Sequence, residues 1–262
     1  MRLKKRTRKS IRNGVIYIAL ILMLSALAYG YKWINQYLQE KLTTFELVQI
    51  EINGNHILSR DDVLSLCGVK AGEKLLTVKP KEVVRRILKS PYVKAASAVR
   101  SLPATLRITI VERKPLAFIY GRGLNLIDDT GYLLPVPRRP QRWSLPFVTG
   151  VKERLGTLGS PTLSKKAMQA VKVLAFINYM SPLLKEVVSE IDVERKDYLQ
   201  LVLIRGGTRI KLDYENYQDN LFVLSEYLNK YFDWDMLSEV RYIDVRFANQ
   251  LIIKHKKIKR RA

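Results

Sequence analysis

The chain has 262 residues, with 46 lysines and arginines against 24 acidic residues and a formal net charge of +22. Seven basic residues precede position 13 and six more follow position 253, so the middle of the chain is only moderately basic. Cys67 is the single cysteine, which excludes an intramolecular disulfide. We expect its thiol to be a small buried apolar group rather than a nucleophile.

The N-terminal segment is typical of a membrane anchor. No charge occurs from Asn13 to Tyr31, and a helix of this length, at ~1.5 Å per residue, matches the ~30 Å hydrocarbon core of a bilayer. We assign 13–33 to a single transmembrane signal anchor and 34–44 to a connecting helix. The basic cluster before the anchor places residues 1–12 in the cytoplasm and the rest of the chain outside it.

This topology bears on the partners of a basic chain. It removes most of the protein from the compartment that holds nucleic acid, so we predict no nucleic-acid partner. Anionic lipid headgroups or cell-wall polymers are the expected counter-ions for the basic ends. The N-terminal anchor itself contacts membrane lipid.

A cleaved signal peptide is the alternative to an anchor. Ala26-Leu27-Ala28 resembles a small-x-small cleavage site after an apolar core. Apolar residues continue beyond it at helical spacing, through Trp33, Ile34 and Tyr37, where a more polar stretch is usual. We therefore favour the uncleaved anchor. Cleavage after Ala28 would instead make the chain a secreted basic binding module.

The segment 45–114 is predicted to form a β-α-α-β-β unit. The predicted elements are strands over 47–52, 92–100 and 105–113, with helices over 60–67 and from Pro80 to about Leu88. Ser59 and Asp62 form a capping box before the first helix, and Gly68 ends it. Periodicity places Val48 on the buried face of the first strand and Leu88 on that of the second helix. Two helices on one face of a three-stranded sheet bury these apolar faces.

The segment 115–253 is predicted to be a mostly antiparallel β domain with two helices. The predicted strands cover 116–120, 124–127, 132–134, 187–193, 198–204, 208–212, 240–247 and 250–254. One helix contains 167–177 and ends before Pro182, and the other contains 221–232. Pro135–Pro146 has four prolines and is predicted to be an irregular loop. The chain is thus α+β, with a basic tail over 254–262.

Seven short motifs along these elements resemble, in order, the FtsQ/DivIB family of bacterial cell-division proteins. They are Ile52-Asn53-Gly54-Asn55, Ser90-Pro91-Tyr92-Val93, Arg100-Ser101-Leu102-Pro103-Ala104-Thr105-Leu106, Glu112-Arg113-Lys114-Pro115, Leu126-Ile127-Asp128-Asp129-Thr130-Gly131, Leu145-Pro146-Phe147-Val148-Thr149-Gly150 and Tyr242-Ile243-Asp244-Val245-Arg246-Phe247. No single motif is specific, but together they span nearly the whole chain. The basic segment from Lys254 to Arg261 is not part of the family pattern.

The resemblance implies a cytoplasmic tail, a membrane anchor, a POTRA domain and a β domain, the last two outside the membrane. It also implies a non-enzymatic assembly role at the division septum. In relatives the β domain binds FtsB-like and FtsL-like single-pass coiled-coil proteins, and the assembly helps to recruit and regulate the septal peptidoglycan synthesis complex. The resemblance therefore implies protein partners and no cofactor.

The candidate partner-binding site lies near the end of the chain. A free sheet edge can accept a strand from a partner, and few residues follow Val240–Ile253 to cover it. By motif position, the resemblance implies a partner-contacting aromatic at Phe247; the alternative is an ordinary core position. The predicted partner-binding residues are Phe247, Asn249, Gln250, Tyr242 and Leu251. Asp244 and Arg246 are expected to form an ion pair on one strand face.

A second group of candidate residues lies between the two predicted domains. Proline after a strand ends its ladder and redirects the chain, so Glu112, Arg113 and Pro115 are predicted to form the domain junction. The alternative is a recruitment surface on the POTRA domain. Asp128, Asp129 and Gly131 are predicted to form a turn.

We find no catalytic or metal-binding pattern in the sequence. His56 and His255 lack a histidine partner at i+4, and no G-x-S-x-G, S-x-x-K or phosphate-binding glycine loop is present. We therefore predict no catalytic residue, no metal site and no cofactor. The alternative is a membrane-tethered envelope enzyme that acts on peptidoglycan.

Overall fold

The computed structural model describes residues 3–42, 45–139, 141–230, 234–247 and 250–256. A long N-terminal helix is followed by two folded units, each with its own sheet and hydrophobic core. This is the predicted α+β class: an apolar helix, a β-α-α-β-β unit and a mainly antiparallel β unit. Most of the predicted basic C-terminal tail, from position 257, lies outside the described residues.

Helix α1 runs without interruption from Leu3 to Leu42. Within it, the 23 residues Val15–Tyr37 are long and apolar enough to cross a membrane, and their large apolar side chains are exposed rather than packed against the folded units. At ~1.5 Å per residue this stretch is about 35 Å long, which suits a bilayer better than water. The predicted anchor and connecting helix therefore form one continuous rod as far as Leu42.

The first folded unit has the predicted order of elements. They are β1 (Gln49–Asn53), α2 (Arg60–Cys67), α3 (Pro80–Ile87), β2 (Val93–Ser101) and β3 (Thr105–Glu112). Strand β3 is central, parallel to β1 and antiparallel to β2. The predicted capping box is present, because Ser59 Oγ accepts the N–H of Asp62 at 3.1 Å and Asp62 accepts the N–H of Ser59 at 2.9 Å. Gly68 ends α2 with a φ of 62°.

The core of this unit lies between the sheet and the two helices. Leu106, Ile108 and Ile110 of β3 are buried, as their alternation predicted, and they share the core with Val63 and Cys67. Burial raises the pKa of the Cys67 thiol to about 11. The thiol is therefore protonated at neutral pH and lacks the thiolate that reactive cysteines need.

Two apolar positions of this unit were predicted on the wrong face. Val48 is 72% exposed and Leu88 is 46% exposed. The N–H groups of both Val48 and Gln49 donate to the carbonyl of Ala104, and this irregularity breaks the period of two, so that Leu47 is buried instead. Leu88 is the C-cap residue of α3, where the helical period no longer fixes the direction of a side chain.

The second unit is built on one nine-stranded sheet with the order β12-β11-β10-β9-β8-β7-β4-β5-β6. The strands are β4 (Pro115–Tyr120), β5 (Leu124–Asp128), β6 (Leu133–Pro135), β7 (Phe147–Thr149), β8 (Val188–Asp192), β9 (Leu199–Leu203), β10 (Arg209–Leu212), β11 (Val240–Asp244) and β12 (Ile252–His255). Three pairs are parallel, β4 with β7, β7 with β8 and β10 with β11. The remaining pairs are antiparallel. The three-residue strand β7 was not predicted.

Three α-helices cover this sheet: α4 (Lys165–Met180), α5 (Pro182–Val187) and α6 (Tyr217–Lys230), with a 3₁₀ helix over Trp234–Glu239 before β11. Helices α4 and α6 are the two predicted ones, and their buried residues include Leu174, Ile177 and Leu224. The structure adds the short helix α5. The prediction used Pro182 only as the end of α4, but Ser181 caps α5 by accepting the N–H of Leu184 at 3.3 Å, and proline is favoured in a first helical turn.

Candidate partner-binding site

The nine-stranded sheet ends at β12, beyond which no strand follows among the described residues. Lys256 donates its N–H to the carbonyl of Glu239 at 2.7 Å, so its backbone is directed into the sheet. Successive residues of a strand direct their backbone groups to opposite sides. The N–H and C=O groups of Ile253 and His255 therefore point away from β11, and they can pair with an added strand.

Four of the five predicted partner-binding residues lie at or beside this edge. Tyr242 is on β11 and is partly exposed, and Phe247 is 47% exposed. The N–H of Gln250 donates to the carbonyl of Phe247 at 3.2 Å, while Leu251 is partly buried against the core. Asn249 lies outside the described residues. Phe247 is thus a surface residue near the edge, not a member of the buried core.

Aromatic rings and cations alternate on one face of this end of the sheet. We call Tyr198, Lys211, Tyr242, Arg246, Phe247 and Lys254 the aromatic–cationic face. Lys211 Nζ lies 4.2 Å from the ring centroid of Tyr242, and Lys254 Nζ lies 5.8 Å from the same ring. Arg246 Cζ lies 4.8 Å from the ring centroid of Tyr198 and 5.7 Å from that of Phe247. Such contacts stabilise by about 0.5–2 kcal/mol each and fix the side chains beside β12.

Sequence reasoning did not include Tyr198, Lys211 and Lys254 among the candidates. Lys211 reaches Tyr242 because β10 pairs with β11 in parallel, and Tyr198 precedes β9, the neighbour of β10. The strand containing Lys211 was predicted, but not the strand beside which it would lie. The only available signal was the outward position of Lys211 in an alternating strand.

The predicted ion pair between Asp244 and Arg246 is present. Arg246 Nε donates to Oδ1 at 2.8 Å and Nη2 donates to Oδ2 at 2.7 Å, and Lys211 Nζ lies 3.7 Å from Oδ2. Burial by itself would raise the pKa of Asp244. The hydrogen bonds from Arg246 and the charges of Arg246 and Lys211 outweigh that effect and hold this pKa below its ordinary value.

The carboxylate of Glu112 binds the loop between β1 and α2. It accepts backbone N–H groups from His56 at 2.8 Å, Ile57 at 2.6 Å and Leu58 at 2.8 Å. Hydrogen bonds to an ionised acceptor are shorter and stronger than neutral ones. Glu112 therefore ties the end of β3 to the loop before α2.

Arg113, the next residue, contacts the other folded unit. Its Nη1 lies 2.8 Å from Oδ2 of Asp128, in a pair whose side chains are 14% and 1% exposed. Its guanidinium carbon lies 3.5 Å from the ring centroid of Tyr132, and Pro115 begins β4 directly afterwards. The adjacent residues Glu112 and Arg113 thus bind on opposite sides of the boundary between the two folded units: Glu112 binds a loop of the first unit and Arg113 binds Asp128 of the second. The recruitment role of these residues stays a prediction.

The predicted turn at Asp128 is present and does more than reverse the chain. Asp128 Oδ1 accepts the N–H groups of Thr130 and Tyr132 at 2.9 and 2.8 Å, and Gly131 has a φ of 80°. The second carboxylate oxygen binds Arg113. The role of Asp128 in the domain junction could not be deduced from the turn motif alone.

Within the described ranges, no cluster of three or more histidine, cysteine or acidic side chains is placed to hold a metal ion. The prediction that the chain has no catalytic centre stays a prediction.

Comparisons with known proteins agree with this architecture. The family model for the POTRA domain of FtsQ type matches residues 45–113, and the model for the C-terminal domain of cell division protein FtsQ/DivIB matches residues 117–246. Cell division protein FtsQ of Geobacter sp. (strain M21) is 26% identical over 232 residues, which are 88% of this chain and 84% of that protein. Cell division protein DivIB of Clostridium acetobutylicum is 23% identical over 214 residues, 79% of this chain and 82% of the relative.

The two family models match adjacent segments in the expected order and cover most of the chain. The chain belongs to the FtsQ/DivIB family of cell-division proteins. The resemblance seen in the seven motifs is thereby confirmed, and so is the predicted fold class. An FtsQ/DivIB protein is a division protein. The apolar helix α1 is consistent with a membrane anchor.

Proposed function

We propose that this FtsQ/DivIB protein is a non-enzymatic, membrane-anchored scaffold of the division machinery that works at the septum. Helix α1 holds the chain in the cell membrane with its N-terminus in the cytoplasm, and the POTRA and β domains lie outside. There the β domain captures FtsB-like and FtsL-like single-pass proteins and so recruits and regulates septal peptidoglycan synthesis. Membership of a division family and the apolar helix support this proposal.

The free edge of β12 is the observation that carries the proposal. A partner segment that adds beside β12 would pair with the outward backbone groups of Ile253 and His255. Its side chains would lie next to Phe247 and the other members of the aromatic–cationic face. Backbone pairing of this kind supplies affinity, while adjacent side chains supply specificity.

Proline at position 255 tests this edge directly. The N–H of His255 points outward, so His255→Pro removes a donor from the free side without removing a ladder bond to β11. Losing one such hydrogen bond costs about 1 kcal/mol, so we expect binding to weaken about fivefold. The affinity of the full chain for the extracytoplasmic segment of an FtsB-like protein, measured by biolayer interferometry, gives the result.

His255→Ala is the matched control, because it removes the same exposed side chain but keeps the backbone donor. We expect it to bind within about twofold of the wild type, since an exposed side chain contributes little to such pairing. Equal binding by the proline and alanine variants would contradict strand addition at β12.

A further inference from the structure

A cleft of about 430 Å³ lies where the POTRA and β domains meet. We call it the junction cleft. Its lining includes Gly54, His56, Ile57 and Val111 from the POTRA domain, the connecting residues 112–115, and Trp143 from the β domain. Concave sites at domain boundaries are common binding sites.

The wall that contains Trp143 is held to both domains. The hydroxyl of Tyr92 in the POTRA domain donates to the carbonyl of Pro135 at 2.9 Å, where the loop begins. The ring of Trp143 lies 6.4 Å from that of Phe118 on β4, centroid to centroid. In addition to the hydrogen bonds from Ser59, the charge of Arg139 lowers the pKa of Asp62 on α2. Pro135 is therefore bonded to the POTRA domain, and Trp143 packs beside a strand of the β domain.

Apolar side chains that line the cleft are left open to solvent. Val111 is 53% exposed, and Ile57 and Trp143 are only partly buried. Val111 lies on the face of the POTRA sheet opposite the buried residues Ile108 and Ile110. Exposed apolar side chains in a concave site favour an apolar occupant.

The charge around the junction cleft is positive. Lys114 lines it and Arg142 precedes Trp143; both are exposed, and neither forms an ion pair within the described residues. Glu112 is the acidic residue of the lining, and its carboxylate oxygens accept three loop N–H groups. The exposed cations Lys114 and Arg142 outnumber this one carboxylate, so an acidic side chain complements the rim of the cleft.

We propose that the junction cleft docks a short segment of a second extracytoplasmic protein. The segment inserts an aromatic or branched aliphatic side chain between Val111 and Trp143 and places an acidic side chain beside Lys114. The volume of the cleft suits a few side chains rather than a folded domain. This surface shares no residue with the β12 edge, so the inference rests on the proposed function only for the extracytoplasmic position of the two domains.

Selection of peptides by the full chain in lipid nanodiscs tests this docking site. A phage-displayed library of random short peptides is selected on the wild type, and the most enriched sequences are synthesised with a fluorophore. Their affinities for the wild type and for variants are then measured by fluorescence polarisation. We expect enriched peptides to carry an aromatic or branched aliphatic residue within two positions of an acidic one.

Two pairs of variants locate the bound peptide. Val111→Glu places a negative charge in the apolar lining, where it repels the acidic side chain of the bound peptide. Lys114→Glu reverses the charge at the rim of the cleft. Val99→Glu and Lys94→Glu are the matched controls, because Val99 is 58% exposed on the same sheet face and Lys94 is an exposed lysine of β2, and neither lines the cleft. We expect binding to weaken at least tenfold for the first pair, as for a central interface residue, and to change less than about twofold for the controls.

The opposite results would overturn the inference. These are enriched peptides that lack acidic residues, peptides that bind Val111→Glu as tightly as the wild type, or equal losses in the matched controls. His255→Pro distinguishes this surface from the β12 edge, because we expect the selected peptides to bind that variant as they bind the wild type. Loss of their binding in His255→Pro would assign them to β12 and would also overturn docking in the junction cleft.

Discussion

Acidic side chains that look alike in this sequence have different roles because their surroundings differ. Glu112 accepts hydrogen bonds from three backbone N–H groups. Asp128 is buried against Arg113, and Asp244 accepts three hydrogen bonds from Arg246. By contrast, Glu82 and Arg85 form an exposed pair at 3.5 Å. Exposed pairs of this kind contribute little to stability, whereas removal of one partner from a buried pair is strongly destabilising.

Phe247 shows how a single exposed side chain can be tested for a role in binding. We expect Phe247→Ala to weaken capture of an FtsB-like segment about tenfold, because aromatic residues dominate interface energies. Phe222→Ala is the control, since Phe222 is 58% exposed on helix α6 and is not a member of the aromatic–cationic face. Isothermal titration calorimetry with the full chain measures both. Similar losses in the two variants would show that Phe247 has no special place in the interface.

At the scale of elements, the two ends of the nine-stranded sheet are not equivalent. The outer side of β6 is occupied by a loop, because Leu133 exchanges backbone hydrogen bonds with Ser160 and Gly159 at 3.0 and 2.9 Å. Among the described residues, no comparable loop pairs with the outer side of β12. Uncovered edges are sites where another chain can add, so β12 is the end of this sheet suited to capture.

The loop between β1 and α2 is another element whose order depends on one contact. Glu112→Gln removes the charge that three N–H groups share and leaves a single carbonyl acceptor. Hydrogen bonds to charged groups contribute about 1.5–3 kcal/mol, so we expect the amides of residues 56–58 to exchange about tenfold faster or more. Hydrogen exchange with mass spectrometry on the full chain measures this. In the control Glu51→Gln, which removes an exposed pair with Arg107, unchanged exchange in the loop is expected; equal acceleration in both would rule out a specific anchor.

At the scale of the whole molecule, adjacent residues connect two folded units. Glu112 binds within the POTRA domain and Arg113 binds the β domain, while Tyr92 bonds to the carbonyl of Pro135 across the same boundary. These contacts hold the two units together next to the junction cleft. Among the described elements, the apolar helix α1 comes first along the chain and the edge strand β12 comes last.

The proposed membrane topology can be tested because Cys67 is buried and its thiol has a raised pKa of about 11. A cysteine introduced elsewhere is therefore the reactive one. We expect an impermeant maleimide to label Ser97→Cys, on the exposed side of β2, in intact spheroplasts. Ser10→Cys, in the predicted cytoplasmic tail, should be labelled only after permeabilisation. Labelling in the reverse order would overturn the orientation, and a mature chain that begins after Ala28 would overturn the anchor.

Local sequence patterns were sufficient to predict much of the POTRA domain, because capping, periodicity and turn chemistry act over a few residues. Ser59, Asp62 and Gly68 set both ends of α2 as predicted, and the alternation in β3 placed Leu106, Ile108 and Ile110 in the core. The positions of Val48 and Leu88 were wrong because a backbone irregularity and a helix end interrupt these periods. In the β domain, β7 was missed since its three residues are a strand only through their parallel pairing with β4 and β8.

By itself, the sequence determined the apolar N-terminal helix, the order of the POTRA elements and the family, because these depend on composition, short periods and motif order. Only the tertiary structure decided which strand is left at the sheet edge, which cations lie beside Tyr242, and that Arg113 meets Asp128 across the domain boundary. The reason is physical: contacts between residues distant in the chain depend on strand order and register. Those are selected by the packing of the whole sheet, and no local pattern specifies them.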